Sequence, residues 1–345
     1  MSDIWIECVP NFSEGRDTSI INKIKESILA IDGVTLLDVD IGYDFNRTVV
    51  TMVGKPDAVL DAAVAASTVA LENIDMSIHS GEHARMGAID VVPFIPLSNA
   101  SMETCIELAN RYAKIMSNMH DLPIYLYGKA SNKTSRENLP NIRKGEYEGF
   151  AEKILLEKWK PDYGPSIFNS KTGVTATGAR NILIAYNVNL NTDDKKLANI
   201  IAGKIRSSGV LQRDVNGDKI RDESGELVRI RGKFDFLQAA GWMYNENTAQ
   251  VSMNLLDYKI TSIYDVTETI IEEAQKIGLD VISSELVGLV PLEALVDAGK
   301  NYINNNDNLS DEILVDAAVA GLKLDVIEKF IPRDNIIEWT IEKNR

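Results

Sequence analysis

The chain has 345 residues, of which 45% are hydrophobic and 25% charged, and its formal net charge is −15 at pH 7. This acidity argues against a general nucleic-acid binder, which needs a basic surface to displace counterions, and two cysteines are too few for a disulfide framework or a thiolate metal site. No apolar stretch approaches the roughly 20 residues of a membrane span, and the first residues lack the features of a signal peptide, so we expect a cytoplasmic protein with neither nucleic acid nor a membrane as partner.

The first half of the chain shows strand-like and helix-like hydrophobic periods in a definite order. Strands are predicted over 4–9, 34–40, 48–53 and 89–97, with helices over 18–30 and 56–71. Pro56 opens the second helix at a position where its missing N–H needs no partner. The order β-α-β-β-α-β is that of the split βαβ units of ferredoxin-like folds.

The second half repeats this order. Strands are predicted over 181–190, 234–243, 249–258 and 279–289, with helices over 194–207 and 262–276. The halves are separated by a predicted helix over 103–118, a strand over 123–127 and a helix over 146–158. The duplication predicts an α+β protein with two ferredoxin-like subdomains and extra helices. We place the first subdomain at 1–178, the second at 179–300 and a helical C-terminal extension at 301–345.

The run from His79 to Asp90 collects side chains that suit a catalytic site. Imidazole is the only side chain whose unperturbed pKa lets it act as base and acid near neutrality. His79, Glu82 and His83 match the H-x-x-E-H zinc-peptidase pattern, but Gly81 is unfavourable in the helix that this pattern requires. We therefore expect no metal and favour a loop in which one imidazole is a general base. Its carboxylate partner is left open among Glu82, Asp90, Asp38 and Asp40.

Two further segments carry polar groups that could contact a ligand. Asp38 and Asp40 lie on the same face of the strand before Arg47, because side chains alternate along a strand. The segment 173–180 has the glycine spacing of a phosphate loop but lacks its Lys-Ser/Thr pair. It predicts a flexible loop that ends in Arg180 and can hold a carboxylate through its N–H groups and the guanidinium.

Several segments, spread in order over about residues 4–300, share their residues with one protein family. They include ECVPNFSEG at 7–15 and ATGAR at 176–180. The others lie at 37–40, 46–49, 79–97, 125–128, 139–140, 142–143, 145–148, 161–165, 249–252, 254–255 and 285–292. On these residues the chain resembles the formiminotransferase family, also called glutamate formimidoyltransferases.

The resemblance implies transfer of the formimino group of N-formimino-L-glutamate to tetrahydrofolate, giving 5-formiminotetrahydrofolate and glutamate in histidine degradation. It implies a ligand tunnel between the two subdomains, tetrahydrofolate as co-substrate without a metal, and a homodimer. Some family members continue into a cyclodeaminase domain. Because this chain ends at Arg345, we expect a monofunctional enzyme whose product passes to a separate cyclodeaminase.

The same resemblance implies roles for particular residues. His83 corresponds to the family's catalytic base, and Asp40 to an aspartate that would stabilise the cationic amidine of the substrate. The segment 164–173 corresponds to the folate-binding loop, and the residues that carry over are Gly164, Pro165, Phe168 and Gly173. From its charge, Lys171 is expected to contact a glutamyl tail. Arginine forks match carboxylate geometry, and the candidate carboxylate ligands are Arg47, Arg85, Arg143 and Arg180.

Three alternatives stay open at this point. A related enzyme could transfer a formyl group from formylglutamate, because the attack and the leaving nitrogen are the same. A metallohydrolase would use His79, Glu82 and His83, and a non-catalytic folate-binding protein would use the same fold. The sequence also leaves open the native reduced pterin and its polyglutamate length.

Overall fold

The computed structural model of the protein describes residues 4–82, 84–303 and 309–344. The chain divides into two compact units, Met1–Asn181 and Ile182–Arg345. Each unit contains a β-sheet with helices packed against it, so the predicted α+β class is confirmed. No helix within the described ranges is both long and apolar enough to cross a lipid bilayer.

The first unit begins with the six predicted elements in their predicted order. Its strands are β1 (Trp5–Cys8), β2 (Asn11–Phe12), β3 (Val34–Gly42), β4 (Arg47–Gly54), β5 (Ile89–Ser98), β6 (Ile124–Gly128) and β7 (Thr175–Ala179). Its α-helices are α1 (Thr18–Leu29), α2 (Pro56–Asn73), α3 (Met102–His120), α4 (Leu139–Arg143) and α5 (Glu146–Lys153). The short strand β2 is an addition, and the helix predicted over 146–158 ends earlier than expected.

The strands of the first unit form one mixed sheet in the order β3-β4-β1-β5-β7-β6. β1 is antiparallel to β4 and β5, whereas β5, β7 and β6 are mutually parallel. β2 also pairs with both β4 and β5. Ile6, Val50 and Phe94 belong to the core that the sheet forms with α2 and α3. Because side chains alternate along a strand, Glu7 and Asp40 point to the opposite face.

The segment 173–180 is not the flexible loop predicted from its glycines. Residues Thr175–Ala179 form strand β7, which lies between β5 and β6. Thr175 and Thr177 are fully buried, and their hydroxyls donate to the carbonyl oxygens of Ile89 at 2.8 Å and Val92 at 2.7 Å. These hydrogen bonds satisfy the buried hydroxyls, which is why a strand with little apolar character lies inside the sheet.

The second unit repeats the βαββαβ order. Its strands are β8 (Ile184–Leu190), β9 (Val210–Leu211), β10 (Arg229–Ile230), β11 (Leu237–Asn245), β12 (Thr248–Leu255) and β13 (Val281–Val287). Its α-helices are α6 (Lys195–Ile205), α7 (Ile263–Gln275), α8 (Leu292–Ile303), α9 (Asp311–Leu322), α10 (Pro332–Asn335) and α11 (Ile337–Lys343). The main sheet is antiparallel in the order β11-β12-β8-β13, and β9 and β10 form a separate ribbon.

The two faces of the second sheet differ in polarity. One face forms a core with α6 and α7, to which Leu295 of α8 and Val315 of α9 also belong. The other face carries amides. Asn189, which is 1% exposed, donates to Ser283 Oγ at 3.1 Å, and Asn187 donates to a carboxylate oxygen of Glu285 at 2.8 Å. Hydrogen bonds between neighbouring strands thus cover this face with polar groups.

Both cysteines of the chain lie in the core of the first unit. Cys8 on β1 and Cys105 on α3 are each 0% exposed and are not joined in a disulfide. Burial is the main cause that raises the pKa of both thiols, that of Cys105 to about 12. At neutral pH both are therefore protonated and unreactive.

Candidate active site

The segment between α2 and β5 holds the histidine-rich run. The side chain of His79 is half-buried, and its Nε2 lies 3.0 Å from the carbonyl oxygen of Asn46. Arg85 Nε donates to His79 Nδ1 at 3.4 Å. Because a guanidinium can only donate, Nδ1 is the acceptor and Nε2 carries the proton. Burial is the largest cause that lowers the pKa of His79, so its ring is neutral at neutral pH.

His83, predicted to be the catalytic base, lies outside the described residues, so its role stays a prediction. The metallohydrolase alternative depends on the same residue. His79 does not favour that alternative, because the lone pair that a metal would need on Nδ1 already accepts a hydrogen bond from Arg85. Among the described residues, no group of three or more His, Cys, Asp and Glu side chains is arranged to hold a metal ion.

Arg85 ties this segment to helix α5. Its two terminal nitrogens bind Glu148 in a bidentate pair at 3.0 and 2.6 Å, and Nη1 also lies 3.3 Å from Glu146. The backbone N–H of Tyr147 donates to the Arg85 carbonyl at 2.8 Å. The hydrogen bond from Arg85 lowers the pKa of Glu148. The sequence suggested the Arg85 guanidinium as a ligand for substrate carboxylates. In the structure, carboxylates of the protein already bind it.

A cavity of about 560 Å³ opens beside this network. Its lining residues are His79, Ser80, Gly81, Arg85, Gly145, Glu146 and Glu148. Gly81 packs against the turn before β4, where an added Cβ would lie 2.3 Å from the carbonyl oxygen of Phe45. Only glycine fits this position without a shift of the backbone.

Asn46 connects several segments of the site, although no role for it was predicted from the sequence. Its backbone has a left-handed φ of 48°, which asparagine tolerates better than most residues. The side chain accepts from the N–H of Gly15 and donates to the carbonyl of Ser80, both at 2.9 Å. With the contact to His79, Asn46 connects three segments. Asn46 directly precedes Arg47 and follows a loop with polar and glycine residues. This position was the sequence feature that could have indicated its role.

The predicted folate-binding loop is joined to the histidine segment by backbone hydrogen bonds. The N–H of Met76 donates to the carbonyl of Lys171, and that of Ala88 to the carbonyl of Thr172, both at 2.9 Å. Gly87 and Gly173 also form a β-bridge. The structure thus brings together two segments that are about 90 residues apart in the sequence, as one site would require.

The residues of this loop differ in how the fold constrains them. Gly164 has a φ of 81° and Gly173 a φ of 68°; an added Cβ would lie 2.2 Å from the Leu122 carbonyl oxygen and 2.3 Å from that of Met86, respectively. The Phe168 ring is half-buried, with its centroid 5.3 Å from that of Tyr147. Pro165 is half-buried as well. Lys171 is exposed, and its ammonium donates to the Glu72 carbonyl at 3.3 Å.

The paired aspartates lie on β3, where the register sets Asp38 opposite Thr51 and Asp40 opposite Val49. Asp40 is exposed, whereas Asp38 is half-buried. Burial and, second, the negative charge of Asp40 raise the pKa of Asp38. The two carboxyl groups therefore influence each other, as side chains on the same face of a strand do.

Asp90 and Arg143 form a buried ion pair at the start of β5. Asp90 is 1% exposed and accepts from the N–H of Met86 at 3.1 Å and from Arg143 Nη2. Arg47 lies nearby, half-buried, and donates to Asn11 Oδ1 at 3.4 Å. Asp90 was one of the carboxylates suggested from the sequence as a partner of the imidazole. In the structure its partner is Arg143.

Arg180 lies beside the middle of β5. It follows β7, and its N–H donates to the carbonyl of Phe94 at 3.3 Å. Its Nη1 donates to the Asn181 carbonyl at 2.9 Å, and a hydrogen bond from Arg180 opposes the rise that burial causes in the pKa of Tyr127. Arg143 acts electrostatically on Arg47, and Arg143 and Arg180 both act on the buried hydroxyl of Tyr127.

Both halves of the chain match models of known domains. Residues 5–180 match the N-terminal subdomain of the formiminotransferase domain, and residues 185–342 match the formiminotransferase domain. These matches follow the division of the fold into two units.

Curated relatives match over most of the chain. The formimidoyltransferase-cyclodeaminase of Gallus gallus is 43% identical over 340 residues, which cover 98% of this chain and 60% of that protein. The chain thus spans about 60% of the length of the formimidoyltransferase-cyclodeaminases that it matches.

Shorter relatives match over nearly their whole length. The glutamate formimidoyltransferase of Thermoplasma acidophilum is 41% identical over 303 residues, covering 87% of this chain and 93% of that protein. That of Streptococcus pyogenes serotype M1 is 39% identical, with coverages of 88% and 94%. From the two domain matches and these full-length alignments, the chain belongs to the formiminotransferase family.

Proposed function

We propose that the protein transfers the formimino group of N-formimino-L-glutamate to tetrahydrofolate, giving 5-formiminotetrahydrofolate and L-glutamate. The observation that supports this most directly is the 41% identity to a glutamate formimidoyltransferase over 93% of that protein's length. The reaction links histidine degradation to one-carbon metabolism. In this proposal tetrahydrofolate is a co-substrate and no metal takes part.

The contacts of the first unit support such a reaction. The segment before β5 carries the proposed base at position 83, and backbone hydrogen bonds hold this segment against the loop 164–173, proposed to bind the folate. General-base catalysis needs the base within hydrogen-bond reach of the proton it removes. Two segments fixed to each other by their backbones suit that requirement.

In the proposed reaction, His83 accepts the proton of N5 of tetrahydrofolate as this nitrogen attacks the amidine carbon. The tetrahedral adduct then expels the nitrogen of glutamate, which the charged His83 reprotonates. Asp40, exposed on β3, stabilises the cationic amidine through its negative charge. The arginines that remain candidates for a substrate carboxylate in this scheme are Arg47, Arg143 and Arg180, since Arg85 is bound by Glu148.

The remaining proposed roles concern the folate and the fold. Gly164, Pro165, Phe168 and Gly173 shape the folate loop, and the exposed ammonium of Lys171 contacts a glutamyl tail. The strand order β13-β8-β12-β11 in the second unit and β5-β1-β4-β3 in the first supports a ferredoxin-like assignment for both. The tunnel, the homodimer, the cytoplasmic location and the separate cyclodeaminase stay predictions of the family resemblance.

A purified-protein assay tests the reaction. Tetrahydrofolate is incubated with N-formimino-L-glutamate or with N-formyl-L-glutamate, and mass spectrometry identifies the folate adduct. We expect the 5-formimino adduct from the first donor and no loss of activity with a chelator. A formyl adduct alone would support the formyltransferase alternative, and loss of activity with chelator together with stoichiometric zinc would support the metallohydrolase.

A pair of histidine variants tests the proposed base. We expect His83→Ala to lower kcat by about 10²–10⁴-fold, the range typical of general acid–base groups. His120→Ala is the matched control, because His120 ends α3 and its ring bonds only with Thr68 Oγ1, at 3.1 Å, among the described residues. Full turnover in His83→Ala would contradict the assignment, and folate binding without turnover in the wild type would favour a binding protein.

A further inference from the structure

The ion pair of Asp90 and Arg143 leaves part of the guanidinium unused. Arg143 ends α4, and its side chain is 18% exposed. Apart from the bond to Asp90, no hydrogen bond or ion pair joins its side chain to the described residues, and its Nε is buried without a partner. A guanidinium has five N–H donors. Arg143 is therefore fixed at one nitrogen and open to an acceptor at others.

Asp90 fixes the direction of this arginine. Its Oδ1 is held by the backbone N–H of Met86, which leaves Oδ2 for Arg143. At 1% exposure, Asp90 is closed to solvent and cannot itself contact a substrate cation. Its role is to orient the guanidinium from behind, as groups that hold a ligating side chain do.

Strand β2 brings Arg47 to the same place. Asn11 pairs with Val49 of β4 and Val91 of β5, and Phe12 pairs with Thr48 and Ile89. Arg47 and Asp90 each lie next to one of these pairs, on strands that flank β2 and are therefore separated by roughly 10 Å. Long arginine side chains span such a gap. Besides burial, the like charge of Arg143 lowers the pKa of Arg47, which agrees with this proximity.

The charge pattern around these residues matches one kind of ligand. Arg47 and Arg143 present positive charge, and Asp40, the exposed carboxylate on β3, also acts electrostatically on Arg47. N-Formimino-L-glutamate carries a cationic amidine next to its α-carboxylate. A ligand with both charges a few ångströms apart would meet an opposite charge at each end.

We propose that Arg143, oriented by Asp90 and flanked by Arg47, binds a carboxylate of the glutamate part of the one-carbon donor. This inference rests on the proposed function and names the donor subsite within it. Arg143 is a ligand of the substrate, and Asp90 is a positioning residue. The same carboxylate chemistry occurs in the glutamyl tail of folate, so the experiment separates the two sources.

Calorimetric titration provides the test. L-Glutamate, the common product, and p-aminobenzoyl-L-glutamate, the folate tail, are titrated into wild type and Arg143→Lys. We expect Arg143→Lys to weaken L-glutamate binding about tenfold or more, because lysine cannot form the forked contact, and to leave p-aminobenzoyl-L-glutamate unchanged. Equal affinity of both proteins for L-glutamate, or a loss confined to p-aminobenzoyl-L-glutamate, would overturn the proposal.

Steady-state kinetics separates binding from structural damage. Arg143→Lys and Asp90→Asn should raise KM for the donor at nearly constant kcat and leave KM for tetrahydrofolate unchanged. The double variant Arg143→Gln/Asp90→Asn removes both charges together, so it should fold and yet show the same rise in KM. Arg111→Ala, which breaks an exposed ion pair with Asp57, is the control. Unchanged donor KM in these variants would contradict the proposal.

The outcome also distinguishes this inference from the proposed function. Absence of formimino transfer by wild type would contradict the function whatever the variants bind. Normal transfer by wild type with equal L-glutamate affinity in Arg143→Lys would contradict only the donor subsite.

Discussion

Two arginines of the first unit show how the number of protein partners decides what a side chain can do. Arg85 meets Glu148 through two hydrogen bonds, Glu146 through a third and His79 through its Nε. Arg143 forms a hydrogen bond with Asp90 alone among the described residues. The first guanidinium uses four of its five N–H donors and joins two segments, whereas the second is anchored at one nitrogen and keeps more donors unused. Residue type alone does not distinguish them; the geometry of their partners does.

The largest expected effect comes from removing the anchored arginine. Arg143→Ala should lower the free energy of unfolding by about 3–5 kcal/mol, because it leaves the buried charge of Asp90 without its cation. The double variant Arg143→Gln/Asp90→Asn should lie within about 1 kcal/mol of wild type, because it removes both charges. Urea unfolding measures both values. A small effect of Arg143→Ala would mean that Asp90 does not depend on this arginine.

The second-largest loss of stability is expected at Gly173, whose backbone lies against Met86, the residue after Arg85. Gly173→Ala should destabilise the protein by about 3 kcal/mol, because the new Cβ would meet the Met86 carbonyl oxygen and the residue would keep its positive φ. Gly225→Ala is the matched control, with a φ of 83° and no atom within 4 Å of the added Cβ. It should cost only about 1 kcal/mol. Equal losses in thermal or urea unfolding would show that the close approach is not the cause.

Removing the Arg85 side chain should have a smaller effect. Arg85→Ala should cost about 1–2 kcal/mol, since the bidentate pair is charge-assisted but the Glu148 side chain is 63% exposed and screened by solvent. Arg111→Ala, whose pair with Asp57 is exposed on both sides, should cost less than about 0.5 kcal/mol.

The pH dependence of this pair has a defined sign. Arg85 lowers the pKa of Glu148 from its ordinary value of 4.5, so the contribution to stability is present above that value and is lost as the pH falls through the lower folded-state pKa. The difference between wild type and Arg85→Ala should therefore narrow below about pH 4.5. A difference that stays constant to low pH would point to packing rather than charge.

The smallest effect should come from His79. Burial lowers its pKa from the ordinary value of 6.5, so its contribution to stability is full above that pH and declines as the pH falls from there through the folded-state pKa. His79→Gln should lack this part of the decline. NMR titration of the ring in the folded protein measures the pKa directly, and a value above 6.5 would contradict a neutral ring at neutral pH.

The order of helices and strands was accessible from the sequence because it depends on local periodicity. The helices α2 and α7 and the hairpin of β11 and β12 carry clear patterns, and all were predicted close to their observed bounds. Strand β7 was missed, because its burial depends on hydrogen bonds from Thr175 and Thr177 to a strand more than 80 residues earlier. No local sequence pattern indicates a hydrogen-bond partner at such a distance along the chain.

For the candidate site, too, residue types were predictable from the sequence but their tertiary partners were not. Sequence reasoning selected the histidine run, the paired aspartates and the arginines by residue type. It could not assign Arg85 to Glu148, which lies 63 residues further along the chain, nor Arg143 to Asp90, 53 residues earlier. It also gave no role to Asn46, whose three contacts depend on how the segments around it fold. Pairing over such separations is set by the tertiary fold.

The burial of Cys8 and Cys105 gives the molecule a built-in reporter of local opening. These are the only thiols in the chain, and both belong to the core of the first unit. A maleimide added to the native protein meets no accessible thiol, so the rate of labelling measures how often that core is exposed to solvent. The second unit contributes no signal. The labelling rate therefore reports on local opening of the first unit alone.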